Sequence, residues 1–372
     1  MDNEKLSIVA LNTIVDLVPK KLISLINYFG NANNILNADI KELASVGGIS
    51  DKIAKTIKSL ANLDVVNKEF DLAEKNNIKI LTYLDEDYPS KLKNIYDFPP
   101  VLYIKGNFNK NDNFSVSVVG SRRPTNYGLI VTEKFCKYFA QNSITTISGL
   151  ASGIDTQAHT SAIKNSGRTI AVLGNGLLEC YPAGNRKLQD EIAERGVIIS
   201  EFPLTRVALP ANFPRRNRIV AALSLATIVI EAAEKSGSLI TAELACEYGK
   251  DVFAVPGPIF SKYSQGPNSL IKQGAFVALN PEDISEQVPL LSNYVRKNAK
   301  KKKKEIVKNL PLISQSSINI LKMIQSSAAG MSLDEISLKA NVNVSEVSAI
   351  LLELELNGLI KTMPGQIYIR SN

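Results

Sequence analysis

The chain has 372 residues, 43 Lys+Arg against 36 Asp+Glu, and a net charge of +7. A single histidine, His159, excludes a multi-histidine metal site, and three scattered cysteines (Cys136, Cys180, Cys246) exclude zinc ribbons and a disulfide framework. No apolar run reaches the ~18 residues of a membrane span, and the start Met1-Asp2-Asn3-Glu4 is acidic where a signal peptide would be basic, so a cytoplasmic protein is expected.

Residues 6–65 read as short helices. Leu22, Ile23, Leu25, Ile26 and Phe29 follow helical spacing, and Gly30 ends the run. Val46-Gly47-Gly48-Ile49-Ser50 then leads into a second helical stretch from Asp51. A glycine turn between two helices has the form of a helix-hairpin-helix or SAM-like unit, whose turn can present backbone N–H groups to a phosphate. Residues 78–106 are short apolar pieces broken by prolines, ending in an approach strand at Val101–Ile104.

From 115 to 280 strands and helices alternate. Strands are expected at Val116–Val119, Thr145–Ser148, Ile170–Leu173, Val197–Ser200, Thr227–Ile230, Val252–Val255 and Phe276–Ala278. These runs are too continuously apolar to be half-exposed, as in a parallel sheet covered on both faces, so a doubly wound α/β domain follows. The turns after the strands carry Gly120-Ser121-Arg122, Gly149 and Gly153, Gly174-Asn175-Gly176, and Ser236-Gly237-Ser238. Ligands of such sheets bind beyond the carboxyl ends of the strands, where glycine lets backbone approach and helix N-termini offer N–H groups. No GxxxxGK[ST] motif is present, and Gly174-Asn175-Gly176 lacks a third glycine, which disfavours nucleotide triphosphate and dinucleotide binding; no cofactor or metal is expected. Phe213-Pro214-Arg215-Arg216-Asn217-Arg218 can grip phosphates while a base stacks on the ring, or can instead pin loops by binding carbonyls and carboxylates. His159, without a nucleophile or metal partner, is expected to be a structural, hydrogen-bonded histidine.

The whole net charge lies between Arg296 and Lys308, which hold eight basic residues and the acid Glu305. Self-repulsion predicts a solvated, unfolded linker at 290–309. Beyond it, helices at Ser314–Ser326, Ser332–Ala340 and Ser345–Asn357 and strands around Pro364-Gly365 have the order of a winged helix. Its candidate recognition helix carries Glu346, Glu353 and Glu355 and no base, so protein contact fits better than duplex reading.

These motifs together resemble the DNA-processing protein A (DprA/Smf) family: Gly-Ser-Arg-x-Pro at 120–124, Ser-Gly-Leu-Ala-x-Gly-Ile-Asp at 148–155 with Ala158-His159, Tyr181-Pro182, Phe-Pro-x-Arg-Asn-Arg-Ile at 213–219, Ser-Gly-Ser-Leu-Ile-Thr-Ala at 236–242 and Val-Pro-Gly at 255–257. The resemblance implies four parts: a helical domain (1–75), an extended Rossmann-like DNA-binding domain (76–289), a basic linker (290–309) and a winged helix (310–372). It further implies a non-enzymatic, single-stranded-DNA-binding recombination mediator. Such a protein protects incoming DNA in natural transformation, loads RecA recombinase and forms a homodimer through the Rossmann-like domain. Carried over by position, Gly120, Ser121, Arg122, Gly149, Gly153, Phe213, Arg216, Asn217, Arg218, Lys235, Ser236, Gly237 and Ser238 would line the strand-binding site. Ser152 and Pro210 stand where the family often has a basic residue, which removes two phosphate contacts. With roughly four phosphates neutralised, log K would fall with log salt at a slope near about −3. The alternative is a nucleoside-monophosphate phosphoribohydrolase of the lysine-decarboxylase-like fold, in which Glu231 and Glu243 would act on the substrate.

Overall fold

Side-chain caps set the boundaries of the opening helices. α1 (Asn3–Asn12) precedes α2 (Pro19–Phe29), which closes at Gly30 with its N–H on the Ile26 carbonyl at 2.8 Å. α3 (Ala32–Asn37), α4 (Ile40–Ser45) and α5 (Asp51–Ser59) are capped by Asn31, Asp39 and Ser50, each accepting a first-turn N–H. α6 (Asp64–Lys75) completes the segment. The structure is a computed structural model that describes residues 3–60, 64–309, 314–327 and 330–371. It divides into two units, Met1–Asn298 and Ala299–Asn372.

The rest of the first unit is a sheet with helices on both faces. In chain order come β1 (Lys79–Thr82), α7 (Ser90–Lys93), β2 (Val101–Gly106), β3 (Ser115–Val119), α8 (Asn126–Gln141), β4 (Thr145–Ser148), α9 (Ile154–Lys164), β5 (Thr169–Val172), α10 (Arg186–Arg195) and β6 (Val197–Ser200). They are followed by α11 (Asn212–Leu223), β7 (Ala226–Val229), α12 (Gly237–Glu247), β8 (Asp251–Ala254), α13 (Gln265–Lys272), β9 (Phe276–Val277) and α14 (Pro281–Gln287). The strand order is β1-β2-β6-β5-β4-β3-β7-β8-β9. From β6 to β9 every pairing is parallel, while β1 and β2 add antiparallel at one edge. All seven expected strands form.

Side chains alternate between the faces. Val116 and Val118 of β3 pack with Phe135, Phe139 and Ala158 of α8 and α9. On the opposite face the Ser117 hydroxyl donates to the Val220 carbonyl of α11 at 2.7 Å, and Val119 joins Val220 and Ala242. The helical segment is not separate from this core. Ile8, Leu11 and Leu25 share one buried cluster with Tyr103, Ile192, Ile198 and Leu204. The Asn12 amide also donates to the Glu201 carbonyl, and the buried Glu69 carboxylate accepts from the Leu204 N–H at 2.6 Å.

The basic tract corrects one expectation: 289–309 is helical, as α15 (Pro289–Asn309), not unfolded. Lysine is a good helix former, so five in succession do not oppose a helix by propensity. The first turns are also anchored, with Leu291 buried and Tyr294 stacked on Phe114 at 3.8 Å between ring centroids.

In the second unit α16 (Gln315–Ser326), β10 (Met331–Ser332), α17 (Leu333–Ala340), α18 (Val344–Leu356), β11 (Ile360–Met363) and β12 (Ile367–Arg370) enclose Ile320, Ile324, Ile336, Val347, Leu351 and Leu354. Three helices and an antiparallel sheet of order β10-β12-β11 make a winged helix. The short β10 was not anticipated. Among the described residues, no helix is long and apolar enough to cross a membrane.

Candidate functional site

The parallel strands change direction of growth at β3. The chain runs outward through β4, β5 and β6, then returns to the other side of β3 with β7. At such a switch point the loops beyond β3 and β7 diverge and leave a crevice. A cavity of about 500 Å³ occupies it.

The β3 loop forms one wall, with Gly120, Ser121 and Arg122. It is held from below by Glu231 at the end of β7. The Ser121 N–H donates to the Glu231 carbonyl at 2.7 Å, and the Thr125 N–H and hydroxyl donate to its carboxylate at 2.8 and 2.5 Å. Glu231 is therefore buried and committed to shaping the loop, not free to act on a substrate. The second loop is equally constrained. Gly153 has φ +86°, and a Cβ there would collide with the Ser121 carbonyl, so glycine is required where the two loops meet. Gly153 itself supports the wall and does not line the cavity.

Gly149 lines it, but its backbone is already engaged. Its N–H donates to Asp155 at 3.1 Å, and its carbonyl accepts from Arg216, whose same Nη1 also donates to the Val172 carbonyl. A Cβ on Gly149 would occupy the guanidinium position. Arg216 thus pins the ends of β4 and β5 together. Its Nη2 has no protein partner among the described residues and is left to the cavity. Burial pulls its pKa down to about 10, with Asp155 opposing and Arg122 reinforcing, so it remains charged at neutral pH. Asp155, whose acidity burial weakens despite Arg216, lies in the same wall.

The aromatic and cationic side chains form a stack. The exposed Arg122 guanidinium sits 5.0 Å from the Phe213 ring centroid, and the Tyr181 ring tilts against Phe213 at 5.4 Å. Opposite stands the N-terminus of α12. Ser236 caps it, with its hydroxyl 2.8 Å from that of Ser238, and Ser236, Gly237 and Ser238 all line the cavity. The Asn217 amide donates to the Gly237 carbonyl at 3.1 Å and ties α11 to this terminus.

Of the thirteen residues singled out, ten line the one cavity, Gly153 braces it, and two stand apart. Lys235 is exposed on the loop between Ala233 and Ser236 but outside the wall. Arg218 points away. It is buried, donates to Glu201 at 2.6 Å and pairs with Asp97 at 3.4 Å. Arg215 likewise donates to Glu201, at 2.9 Å. Tyr181 and Asp155 also line the cavity and were not among the thirteen. Both occur in the motifs already read, and the signal for Asp155 is its place in the first turn of a helix after a glycine loop. His159 is a buried structural histidine, with Nδ1 2.6 Å from the Thr169 hydroxyl. Ser152 is exposed beside the cavity and Pro210 lines it. Among the described residues, no cluster of His, Cys, Asp and Glu could hold a metal ion.

Comparison with known proteins agrees across the chain. The family model described as DNA recombination-mediator protein A matches residues 79–289, and the DprA winged helix domain matches 319–366. Protein Smf of Escherichia coli is 37% identical over 303 residues, covering 80% of this chain and 78% of that protein. The X-ray structure of DNA processing protein A from Streptococcus pneumoniae superposes with a TM-score of 0.68 at 35% identity, covering 77% of this chain and 99% of that one. DNA processing protein A from Helicobacter pylori, described for its single-stranded DNA binding mode, gives 0.51 at 31% identity, covering 60% of this chain and 96% of that one.

Proposed function

The chain belongs to the DNA recombination-mediator protein A (DprA/Smf) family, and from that premise we propose that it binds single-stranded DNA in the switch-point cavity, protects incoming DNA and loads RecA recombinase onto it during natural transformation. It does this without catalytic turnover. The observation that carries the reading is the convergence, in one open cavity at the strand carboxyl ends, of the Arg122–Phe213–Tyr181 stack and the α12 N-terminus.

Phosphates meet Arg122, the free Nη2 of Arg216 and the N–H end of α12, where positive partial charge favours anions. Lys235, exposed on the α12 loop, adds charge at the rim. Bases lie against Tyr181 and the Phe213–Arg122 stack, an interaction worth ~1–3 kcal/mol per base that tolerates any sequence. Asp155 and Glu231 act on the loops and not on the strand. This is also why the phosphoribohydrolase alternative is set aside: Glu231 is spent on Thr125.

In this reading the seven parallel strands are an extended Rossmann-like core (76–289), and 1–75 is a helix-hairpin-helix or SAM-like domain. Residues 290–309 are a basic connector, and 310–372 are a winged helix for protein contact. The homodimer forms through the core. The open edge at β9 supports this, since Phe276, Val277 and Leu279 are exposed there and Phe260 is 95% exposed on the loop after β8. The test is RecA filament assembly on single strands already covered by a single-strand-binding protein. The wild-type chain should accelerate assembly and Arg122→Ala should not. Equal assembly with and without the wild-type chain would refute the mediator role.

A further inference from the structure

α18 turns Val347, Ile350, Leu351 and Leu354 into the core of the winged helix. At about 100° per residue, the line opposite these four runs through Ser345, Ala349, Leu352 and Leu356. All four are exposed, Leu352 by 59% and Leu356 by 81%. A surface helix ordinarily sets polar side chains opposite its core face. Here two leucines one turn apart lie at the centre of the solvent face, not scattered singly over it.

Their spacing sets the kind of partner. Ser345, Ala349, Leu352 and Leu356 are separated by steps of four, three and four residues, the d-a-d-a order of a coiled-coil seam. In that register Glu346 and Glu353 fall at e and Glu355 at g, the positions that choose a partner helix by charge. Among the described residues none of the three pairs with a base, and α18 has no base of its own. Glu355 is oriented by the Thr362 N–H and hydroxyl, both donating to its Oε1. A second copy of α18 would bring three glutamates from each side to the seam and nothing to balance them. The phosphates of a duplex would meet the same repulsion. The complement is a helix with apolar residues at a and d and Lys or Arg at e and g.

We propose that the outer face of α18 is a docking seam for a basic amphipathic helix of a partner protein. The assignment rests on the protein-contact reading of the winged helix and adds the face, the packing geometry and the sign of the charge. The seam is about 18 Å long. Its charges lie at the surface, so the contact is short and sensitive to salt.

The test is binding of full-length protein to a fluorescent three-heptad peptide with Leu at a and d and Lys at e and g, beside the same peptide with Glu at e and g. The wild-type chain should bind the lysine peptide at least about 10-fold more tightly, and added salt should weaken it. Leu352→Ser combined with Leu356→Ser, both outside the core, should lose about 10-fold or more. Glu346→Lys combined with Glu353→Lys should reverse the preference between the two peptides, which a loss of folding cannot do. No binding of either peptide, or binding unchanged in both variants, would overturn the seam and not the wider protein-contact reading. A fall in oligomeric state in the leucine variant would overturn it in favour of a second copy of the chain. Duplex DNA binding by the full-length protein that the leucine variant abolishes would overturn the protein-contact reading itself, and the seam with it.

Discussion

Three arginines stand within four residues at 215–218, and their chemistry differs because burial differs. Arg216 lines the cavity while its Nη1 holds two strand ends and its Nε donates to Asn217 Oδ1 at 3.2 Å. Arg218 is buried and its Nε and Nη2 are paired with Asp97 and Glu201, away from the cavity. A run of basic residues on a helix start cannot reveal this, because successive side chains on a helix point about 100° apart and meet unrelated neighbours. The partners, Glu201 and Asp97, are distant in sequence. Arg122→Ala should therefore weaken binding to every single-stranded sequence and flatten the salt slope by roughly 0.7. Arg218→Ala should instead leave the slope unchanged and cost about 3 kcal/mol of stability, since it breaks a buried ion pair; chemical denaturation and a salt titration of both variants separate the two outcomes.

His159 offers a second check at this scale. Burial, reinforced by Arg216, pulls its pKa down to about 3 from an ordinary 6.5. The unfolded chain takes up a proton below pH 6.5 and the folded chain does not, so this residue's contribution is complete above pH 6.5 and is lost as the pH falls. The loss approaches about 1.4 kcal/mol per pH unit. His159→Asn, which keeps a partner for Thr169, should remove that component, and the stability gap between wild type and variant should narrow from pH 7 to pH 5. A gap independent of pH would show that the imidazole is not held neutral.

The strands were the most legible elements. A run such as Val197–Ser200 is buried on both faces, so its composition is dictated by the sheet and little else. The glycine loops were legible because their position at strand ends implies a crevice before any partner is known. What stayed hidden was carried by contacts across the chain. Glu69 and Asn12 tie the helical segment to the 201–206 loop, and neither has a local signature. The basic tract misled for the opposite reason: its charge argued against order, while Leu291 and Tyr294 a few residues earlier anchor a helix. For the winged helix, α18 presents Glu346, Glu353 and Glu355, and Glu355 is already accepting from the Thr362 N–H and hydroxyl at 3.0 and 2.7 Å. A helix with that charge repels a major groove, so the isolated 309–372 fragment, without the lysine tract, should not bind duplex DNA at physiological salt. Measurable duplex binding would contradict a protein-contact role.

At the scale of the whole molecule the opening number changes meaning. The +7 lies entirely between Arg296 and Lys308, whereas the cavity proposed to hold the strand offers Arg122 and Arg216, with Lys235 exposed on the loop before α12. With Arg218 withdrawn, about three phosphates are neutralised instead of four, and the expected salt slope becomes about −2. The measurement that bears most directly on this is a salt titration of single-strand binding by the full-length protein, by Arg122→Ala, and by a variant in which Lys300 to Lys304 are all glutamine. The cavity account predicts a slope of about −2 for wild type, nearly unchanged in the glutamine variant and shallower by roughly 0.7 in Arg122→Ala. Binding that collapses in the glutamine variant and survives unaltered in Arg122→Ala would contradict it, and would return the DNA site to the lysine tract.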